Sequence, residues 1–320
     1  MLSIRAAEAV HNGMGTGIFH RAYGDKAGQA LQAVKAEARR LERLLSCYCK
    51  GSDISRINRL AGIRPEKISQ ETFDVLSCAA QVQPLCQGAF DITIGPLVDV
   101  WDYKHAKDIP EEASIQRVLP LVNGTDLLLS KSSGTAMLRN KGQAIDLGGV
   151  GKGYASDRFM DVFRKCGIRS AFTNIGGNVS ALGMKPDGSP WRVGIRHPRQ
   201  ENALLGAVVV ADESVVTSGD YERYFIDPKG KRRHHILNPA TGYPAESGLI
   251  SVTVMAKSAM TADALSTAIF VAGMQKGLRL LSSFPDAQAV IADTNLAVYV
   301  TPGLMDRFSP AFGIQANLLY

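Results

Sequence analysis

The stretch Asp146-Leu-Gly-Gly-Val-Gly-Lys-Gly153 decides how the middle of this chain folds, and we call it the glycine elbow. Residues 143–146 predict a strand that leads into it, and residues 154–166 predict the helix that follows. Glycine-rich backbone between a strand and a helix can bring N–H groups close to an anion at the positive helix end. The alternative is a structural elbow without a ligand. The spacing matches neither a P-loop nor a G-x-G-x-x-G dinucleotide-binding turn.

A second stretch, Asp263-Ala-Leu-Ser-Thr267, predicts a pair of metal ligands on one helix. A helix predicted over residues 261–271 places Asp263 and Thr267 one turn apart on the same face. A carboxylate and a hydroxyl suit Mg²⁺, whose shell a backbone carbonyl, water or substrate phosphate would complete. The alternative is an ordinary helix start with a solvent-facing threonine. Together with the ammonium of Lys152, the pair indicates binding of a nucleotide diphosphate.

The remaining elements mix helices with antiparallel hairpins, which predicts an α+β fold rather than alternating α/β units. The helix over residues 24–48 has the clearest apolar face, with spacings of three and four. The other predicted helices are 71–83 with Ser69 as N-cap, a short one opened by Pro110, and 275–283. The predicted strands are 126–130 paired with 135–139, 170–174, 191–196, 207–211, 224–226 paired with 235–237, 250–255, and a last hairpin of 289–292 with 297–300.

Length and composition indicate a globular protein. The chain has 320 residues, of which 45% are hydrophobic and 21% charged, and we expect one domain over residues 1–320, built from two closely packed lobes. The net charge of +6 fits an anionic ligand. No basic run is interleaved with aromatic residues, so nucleic-acid binding is not expected, and the densest run, 229–233, predicts a hairpin turn. Five cysteines without a C-x-x-C pair predict buried, reduced thiols.

The N-terminal residues and the hydropathy predict a cytoplasmic protein. Residues 1–10 lack the basic leader and apolar core of a signal peptide. No window approaches the apolar length that a membrane span requires. We therefore expect neither export nor a membrane span.

Eight short motifs follow one another in order between residues 14 and 267. They are Met14-Gly-Thr16, Ser46-Cys-Tyr48 with Ser52-Asp-Ile-Ser-Arg-Ile-Asn58, Gly88-Ala-Phe-Asp-Ile-Thr93, the glycine elbow with Tyr154, Asn174-Ile-Gly-Gly177, Thr217-Ser-Gly219, His235-Ile-Leu-Asn-Pro-Ala-Thr-Gly242 and Ala262-Asp-Ala-Leu-Ser-Thr267. Each motif alone is weak, but in this order the chain resembles the FAD:protein FMN transferase family, known as ApbE.

The resemblance implies an ApbE-type, T-fold-like architecture with the ligand site between the two lobes. It implies a Mg²⁺-dependent enzyme that transfers FMN from FAD to a serine or threonine hydroxyl of an acceptor flavoprotein, forming a phosphoester and releasing AMP. It also implies metal ligation by Asp263, Thr267 and the carbonyl of Gly149. The residues implied to line the FAD site are Met14, Tyr48, Ala89, Phe90, Asp91, Asp146, Lys152 and Ile236.

His235 matches the histidine proposed to assist the transfer in this family. An unperturbed imidazole, with a pKa of about 6.5, would suit a base that takes the hydroxyl proton near neutral pH. Asp146 is the competing candidate, and the sequence does not rank the two. The chain departs from the family at Asn238, where aspartate is usual, so a charged role is excluded there.

Two other functions fit the same residues. The site could admit water and hydrolyse FAD to FMN and AMP. The chain could also bind FAD without any chemistry, in which case no AMP would appear in the presence of Mg²⁺.

Overall fold

The computed structural model describes residues 5–103, 105 and 108–319. The strands there are, in chain order, β1 Ala6–Gly13, β2 Thr16–Tyr23, β3 Glu66–Lys67, β4 Leu127–Ser130, β5 Thr135–Leu138, β6 Ser170–Ile175, β7 Asn178–Leu182, β8 Trp191–Arg196, β9 Leu204–Val210, β10 Ser214–Gly219, β11 Tyr224–Ile226, β12 Arg232–His234, β13 Leu249–Ala256, β14 Gln288–Asp293, β15 Val298–Val300, β16 Phe308–Pro310 and β17 Ala316–Leu318. The α-helices are α1 Ala27–Leu45, α2 Asp53–Arg59, α3 Gln70–Val82, α4 Gly95–Trp101, α5 Glu112–Val118, α6 Gly151–Lys165, α7 Ala259–Ala272 and α8 Met274–Ser282.

A nine-stranded sheet runs through the described part of the chain in the order β1-β2-β6-β7-β10-β13-β14-β15-β17. Its neighbouring strands are antiparallel except for β15 and β17, which are parallel. Three smaller sheets accompany it, in the orders β16-β9-β8, β3-β5-β4 and β11-β12. Helices combined with mostly antiparallel pairing confirm the predicted α+β fold.

Helices α6 and α7 pack against each other, and α7 also packs on strands β10 and β13 of the large sheet. Every residue of β13 is buried. Phe159 and Phe163 of α6 and Phe270 of α7 are among the largest fully buried side chains. Burial of each such ring contributes about 1.5–3 kcal/mol, so these two helices form a rigid base for the residues that they carry.

Most of the predicted elements are present. The long amphipathic helix is α1, and its buried face is the predicted apolar face. Helix α3 has the predicted N-cap, because the hydroxyl of Ser69 accepts the N–H of Thr72. The hairpins β4–β5 and β14–β15 have the predicted partners.

The strand predicted over residues 143–146 is wrong. Within it Ala144 makes only an isolated parallel bridge to Ile94, because the segment runs beside a loop and not beside a strand. Helix α6 begins at Gly151, earlier than the predicted Tyr154. The end of the glycine elbow is therefore the first turn of a helix.

Three other boundaries also differ from the predictions. Strand β11 pairs with β12 and not with residues 235–237, because Asp227 accepts the N–H groups of Lys229 and Lys231 and closes the turn early. The basic run there is nevertheless a hairpin turn, as predicted. Pro110 precedes helix α5 instead of lying in its first turn. The chain continues past the predicted last hairpin, since β16 and β17 return to β9 and β15.

All five cysteines lie in the described part of the chain and carry free thiols, as predicted, but only Cys86 is buried. The other four are partly exposed, so the predicted burial is wrong for them. Among the described residues, no helix combines the length and apolar character needed to cross a membrane. The division of the chain into two lobes stays a prediction.

Candidate functional site

Helices α6 and α7 bring the glycine elbow and Asp263 into direct contact. Oδ2 of the buried Asp263 accepts a hydrogen bond of 2.8 Å from the backbone N–H of Gly153. Its other oxygen, Oδ1, lies 3.6 Å from the ammonium of Lys152. A Cβ atom on Gly153 would lie 2.3 Å from the carbonyl oxygen of Ala259, so only glycine permits this close approach. Two segments 110 residues apart therefore meet, as the sequence analysis expected.

Thr267 lies one turn after Asp263 on α7 and contacts the same elbow. A Cβ atom added to Gly149 would lie 3.3 Å from the Thr267 hydroxyl oxygen and 3.2 Å from the ring of Phe90. The backbone of Gly149 therefore passes directly beside both side chains. The hydroxyl oxygen of Ser218 on β10 lies 3.2 Å from that of Thr267 and holds it in place.

Three oxygen groups on neighbouring segments are of the kind that a hard divalent cation binds. Asp263 offers a carboxylate, Thr267 a hydroxyl and Gly149 a backbone carbonyl, on segments that touch one another. Mg²⁺ binds through few protein oxygens and keeps water or substrate phosphate in its other positions. Within residues 5–103, 105 and 108–319, no three histidine, cysteine, aspartate or glutamate side chains are grouped to hold a metal. A cation at this site would therefore depend on the mixed set of oxygens.

Lys152 is placed to hold an anion beside Asp263. Its ammonium donates a hydrogen bond of 3.0 Å to the carbonyl oxygen of Gly148, within the elbow. The side chain is only partly exposed, so its charge is less screened than that of a fully solvated lysine. A diphosphate that approached the elbow would meet this charge together with the N-terminal end of α6.

Asp157 fixes the start of α7 against α6, and the sequence analysis missed it. Its carboxylate accepts hydrogen bonds from the Ser258 hydroxyl at 2.9 Å, the Ala259 N–H at 2.7 Å and the Met260 N–H at 3.1 Å. Burial raises the pKa of Asp157 even though these donors act in the opposite direction. Because Asp157 lies on another helix, no local sequence motif predicts that it caps α7. Asp157 thereby sets the position from which Asp263 reaches the elbow.

Asp146 is held at the other end of the elbow. Its Oδ1 accepts the N–H of Gly148 at 2.7 Å, and its Oδ2 lies 3.6 Å from the Cys47 thiol, which donates to it. Burial first, and Asp146 second, raise the pKa of Cys47 to about 12, so this thiol stays protonated and serves as a donor. Tyr48 has a largely exposed side chain, but partial desolvation and the same carboxylate raise its pKa to about 12.

The Ala89–Asp91 segment forms a buried edge beside the elbow. Ala89 and Phe90 are buried, and the N–H of Asp146 donates to the carbonyl of Ile92 at 2.8 Å. The Asp91 carboxylate makes four hydrogen bonds inside the protein, to the N–H and hydroxyl of Thr93, the side-chain amide of Gln83 and the N–H of Gly124. Asp91 therefore shapes the loop that presents Phe90.

His235 follows strand β12 and faces Arg223. Its backbone N–H donates to the carbonyl oxygen of Arg223 at 3.0 Å, and its ring Nδ1 lies 3.2 Å from the same oxygen. Desolvation first, then the charges of Arg223 and Lys152, lower the pKa of His235 to about 3. The imidazole is therefore neutral at pH 7 in this structure, and the role of His235 as a base stays a prediction. The preceding His234 is buried against the carbonyl of Ala245, so only one of the two histidines is available to a ligand.

The Met14 turn joins β1 to β2. Arg223 links it to His235, because this arginine contacts both. Met14 has a left-handed backbone (φ 54°), which is costly for a residue with a side chain. The Glu42 carboxylate accepts its N–H at 3.1 Å, and Arg223 donates to the carbonyl of Gly15 at 3.1 Å. No motif drew attention to Glu42 or Arg223, because each acts on a segment remote in the sequence.

Two other motifs form turns. Asn174-Ile-Gly-Gly177 closes the hairpin β6–β7, and Gly176 and Gly177 have φ values of 54° and 99°, as a tight turn requires. Asn238 uses its side-chain oxygen to accept the N–H of Ala240 at 2.9 Å. This role needs an acceptor and not a charge, so asparagine replaces aspartate here without loss of the turn. Ile236, two residues earlier, is buried.

Comparisons with known proteins show the family to which this chain belongs. A sequence model described as the ApbE family matches residues 14–291. A FAD:protein FMN transferase of Klebsiella pneumoniae (strain 342) is 35% identical over 286 residues, covering 89% of this chain and 87% of the relative. A protein of the same name from Escherichia coli (strain K12) is 32% identical over 281 residues, covering 85% and 77%.

Solved structures show the same fold. The ApbE protein of Thermotoga maritima has a TM-score of 0.86 and 30% identity, with 94% of this chain and 98% of that chain covered. The flavin transferase ApbE of Vibrio cholerae has a TM-score of 0.86 and 25% identity, with 95% and 99% covered. With the family match over most of the chain, these similarities show that this protein belongs to the ApbE family.

Proposed function

We propose that this protein transfers FMN from FAD to a serine or threonine hydroxyl of an acceptor flavoprotein and releases AMP. Family membership and the names of its relatives support the reaction. The observation that carries the proposal is the meeting of Asp263 with the N–H of Gly153 and the ammonium of Lys152. It places a carboxylate, the type of oxygen that Mg²⁺ prefers, beside glycine-rich backbone and a lysine, and a metal-bound diphosphate would require this combination.

FAD would lie along the elbow. The residues proposed to line it are Met14, Tyr48, Ala89, Phe90, Asp91, Asp146, Lys152 and Ile236. Lys152 and the first turn of α6 would hold the diphosphate, and Phe90 would offer an apolar wall. Asp91 would contribute by holding the loop of Phe90, since its carboxylate is committed to internal hydrogen bonds.

Asp263, Thr267 and the carbonyl of Gly149 would hold Mg²⁺. The bound cation would neutralise charge on the diphosphate as the bond to the AMP phosphate breaks. Asp157 and Ser218 would keep the two side-chain ligands in place, one through the start of α7 and the other through the Thr267 hydroxyl.

In the transfer, the acceptor oxygen forms a bond to the phosphorus nearer riboflavin, and the bond from that phosphorus to the AMP phosphate breaks. The hydroxyl proton passes to His235 or to Asp146. The imidazole is neutral at pH 7 and can accept a proton, although its low pKa makes it a weak base. An anionic diphosphate beside Lys152 would offset that cation and raise the basicity of the ring.

The test is incubation of the purified protein with FAD, MgCl₂ and a candidate flavoprotein, followed by intact-mass analysis of the acceptor and chromatography of the nucleotides. The expected result is an acceptor heavier by one FMN and one AMP released for each transfer. Release of FMN and AMP with an unmodified acceptor would favour FAD hydrolysis. Bound FAD without AMP would favour a flavin-binding protein.

Location in the cytoplasm stays a prediction. Fractionation of cells that express the full-length native gene, with immunodetection of the protein in each fraction, tests it.

A further inference from the structure

Arg223 connects two segments of the site that are far apart in the sequence. It lies immediately before β11, and its guanidinium donates a hydrogen bond of 3.1 Å to the carbonyl of Gly15 in the Met14 turn. Its own carbonyl oxygen accepts the N–H of His235 at 3.0 Å. One residue therefore fixes the distance between the turn and the histidine.

The same carbonyl determines which ring nitrogen of His235 carries a proton. Nδ1 lies 3.2 Å from the Arg223 oxygen, and a carbonyl can only accept. An unprotonated Nδ1 would place two acceptors against each other, so the neutral ring carries its proton on Nδ1. Nε2 is then the unprotonated nitrogen, which is the form that a proton acceptor needs.

Burial is the largest influence that keeps the His235 ring neutral, and the charges around the ring act in the same direction. Arg223, Lys152 and His234 all disfavour a second proton on the imidazole. The hydrogen bond from Nδ1 to the Arg223 carbonyl opposes them. The guanidinium of Arg223 thus anchors the Met14 turn and also contributes to the positive electrostatic potential at the His235 ring.

We propose that Arg223 is the positioning residue of His235. Its side chain anchors the backbone before β11 to the Met14 turn, and its carbonyl holds the imidazole as the Nδ1–H tautomer, with Nε2 left to accept the proton of the attacking hydroxyl. The destination of that proton rests on the proposed FMN transfer. The tautomer and the anchoring do not, so they can be tested on the protein without substrate.

The first test is NMR of the full chain labelled with ¹⁵N-histidine, with His235→Gln to assign the signal. The wild-type protein should show His235 as the Nδ1–H tautomer. In Arg223→Gln the His235 pKa should rise by about one unit or more, because a nearby cation is removed, and the tautomer signal should become mixed. Arg223→Lys keeps the charge and should return the pKa toward the wild-type value. Arg192→Gln, on β8 in another sheet, is the charge-matched control and should change neither.

The second test is the kinetics of FMN transfer by the same variants. Arg223→Gln should lower kcat by about tenfold or more, with the KM for FAD changed less, because proton transfer and not FAD binding is disturbed. Melting temperatures control for folding. An unchanged tautomer and pKa in Arg223→Gln would overturn the proposal whether or not the protein transfers FMN. A normal NMR response in a protein without transfer activity would instead count against the proposed function alone.

Discussion

Two regions of the site are held by different kinds of contact. The α6–α7 contact, where Asp263 meets the glycine elbow, is buried and is fixed by helix packing and by the Asp157 cap. The Arg223 bridge, which joins the Met14 turn to His235, consists of a few hydrogen bonds at an exposed side chain. The comparison teaches that changes in the first region affect stability and chemistry together, whereas changes in the second can affect chemistry with the fold intact.

Loss of the Asp263 carboxylate should have the largest effect. Asp263→Ala is expected to reduce FMN transfer by about a hundredfold or more at ordinary Mg²⁺, because the proposed Mg²⁺ site would lose its charged ligand. It also leaves the buried N–H of Gly153 without an acceptor, which costs about 1–3 kcal/mol of unfolding free energy. Intact-mass assays and urea unfolding measure the two effects.

Asp263→Asn is the matched control for that variant. Its amide oxygen can still accept the N–H of Gly153, so stability should recover while transfer stays low. Full activity in either variant would remove Asp263 from the ligand set.

Loss of the Asp157 cap should lower stability, although Asp157 is not among the residues proposed to bind FAD or the metal. Asp157→Ala leaves three donors at the start of α7 without their acceptor and should cost about 3 kcal/mol in urea unfolding. The control Asp161→Ala removes a half-exposed carboxylate on the same helix that pairs with Arg158 and Arg164, and it should cost less than about 1 kcal/mol. Equal losses for the two variants would show that Asp157 does not anchor α7.

Acid should weaken the buried region through His20. This histidine lies on β2 against Phe159 and Phe163, and burial lowers its pKa to about 3. Below pH 6.5 the unfolded chain binds a proton at His20 that the folded chain does not, so stability is complete above that pH and is lost as the pH falls toward 3. The expected loss is about 2 kcal/mol between pH 6.5 and 5.

Urea unfolding at a series of pH values measures this dependence, and His20→Gln should make it shallower by that amount. If the unfolding free energy falls with pH equally steeply in wild type and variant, the acid sensitivity belongs to another group.

In the region of the Arg223 bridge, by contrast, we expect catalysis to be insensitive to acid over the same pH range. Because the pKa of His235 is about 3, its protonation should not lower kcat/KM between pH 8 and 5. A decline centred near pH 6.5 that disappears in His235→Gln would contradict the lowered pKa in the working enzyme.

The smallest effect is expected at the turn of Asn238. Asn238→Asp keeps an oxygen that accepts the N–H of Ala240, so stability should change by less than about 0.5 kcal/mol and transfer should be retained. A large loss of activity would mean that the neutral side chain matters to the site.

Local patterns predicted the elements whose stability is local. The apolar face of α1 and the Ser69 cap of α3 depend on spacings of three or four residues, and both are present. The motif order also allowed Asp263, Thr267 and the glycine elbow to be assigned to one site. Predictions failed where a contact from elsewhere changed the outcome: residues 143–146 are extended but have no neighbouring strand, and Asp227 closes the β11–β12 turn early.

The sequence by itself determined the α+β class, the helix that carries Asp263 and Thr267, and the glycines that make the elbow narrow, because these follow from periodicity and from the size of single residues. Only the tertiary structure decided the cap from Asp157, the bridge from Arg223 and the low pKa of His235. Hydrogen bonds between remote segments and the desolvation of a side chain arise only when the chain is packed, so no local pattern encodes them.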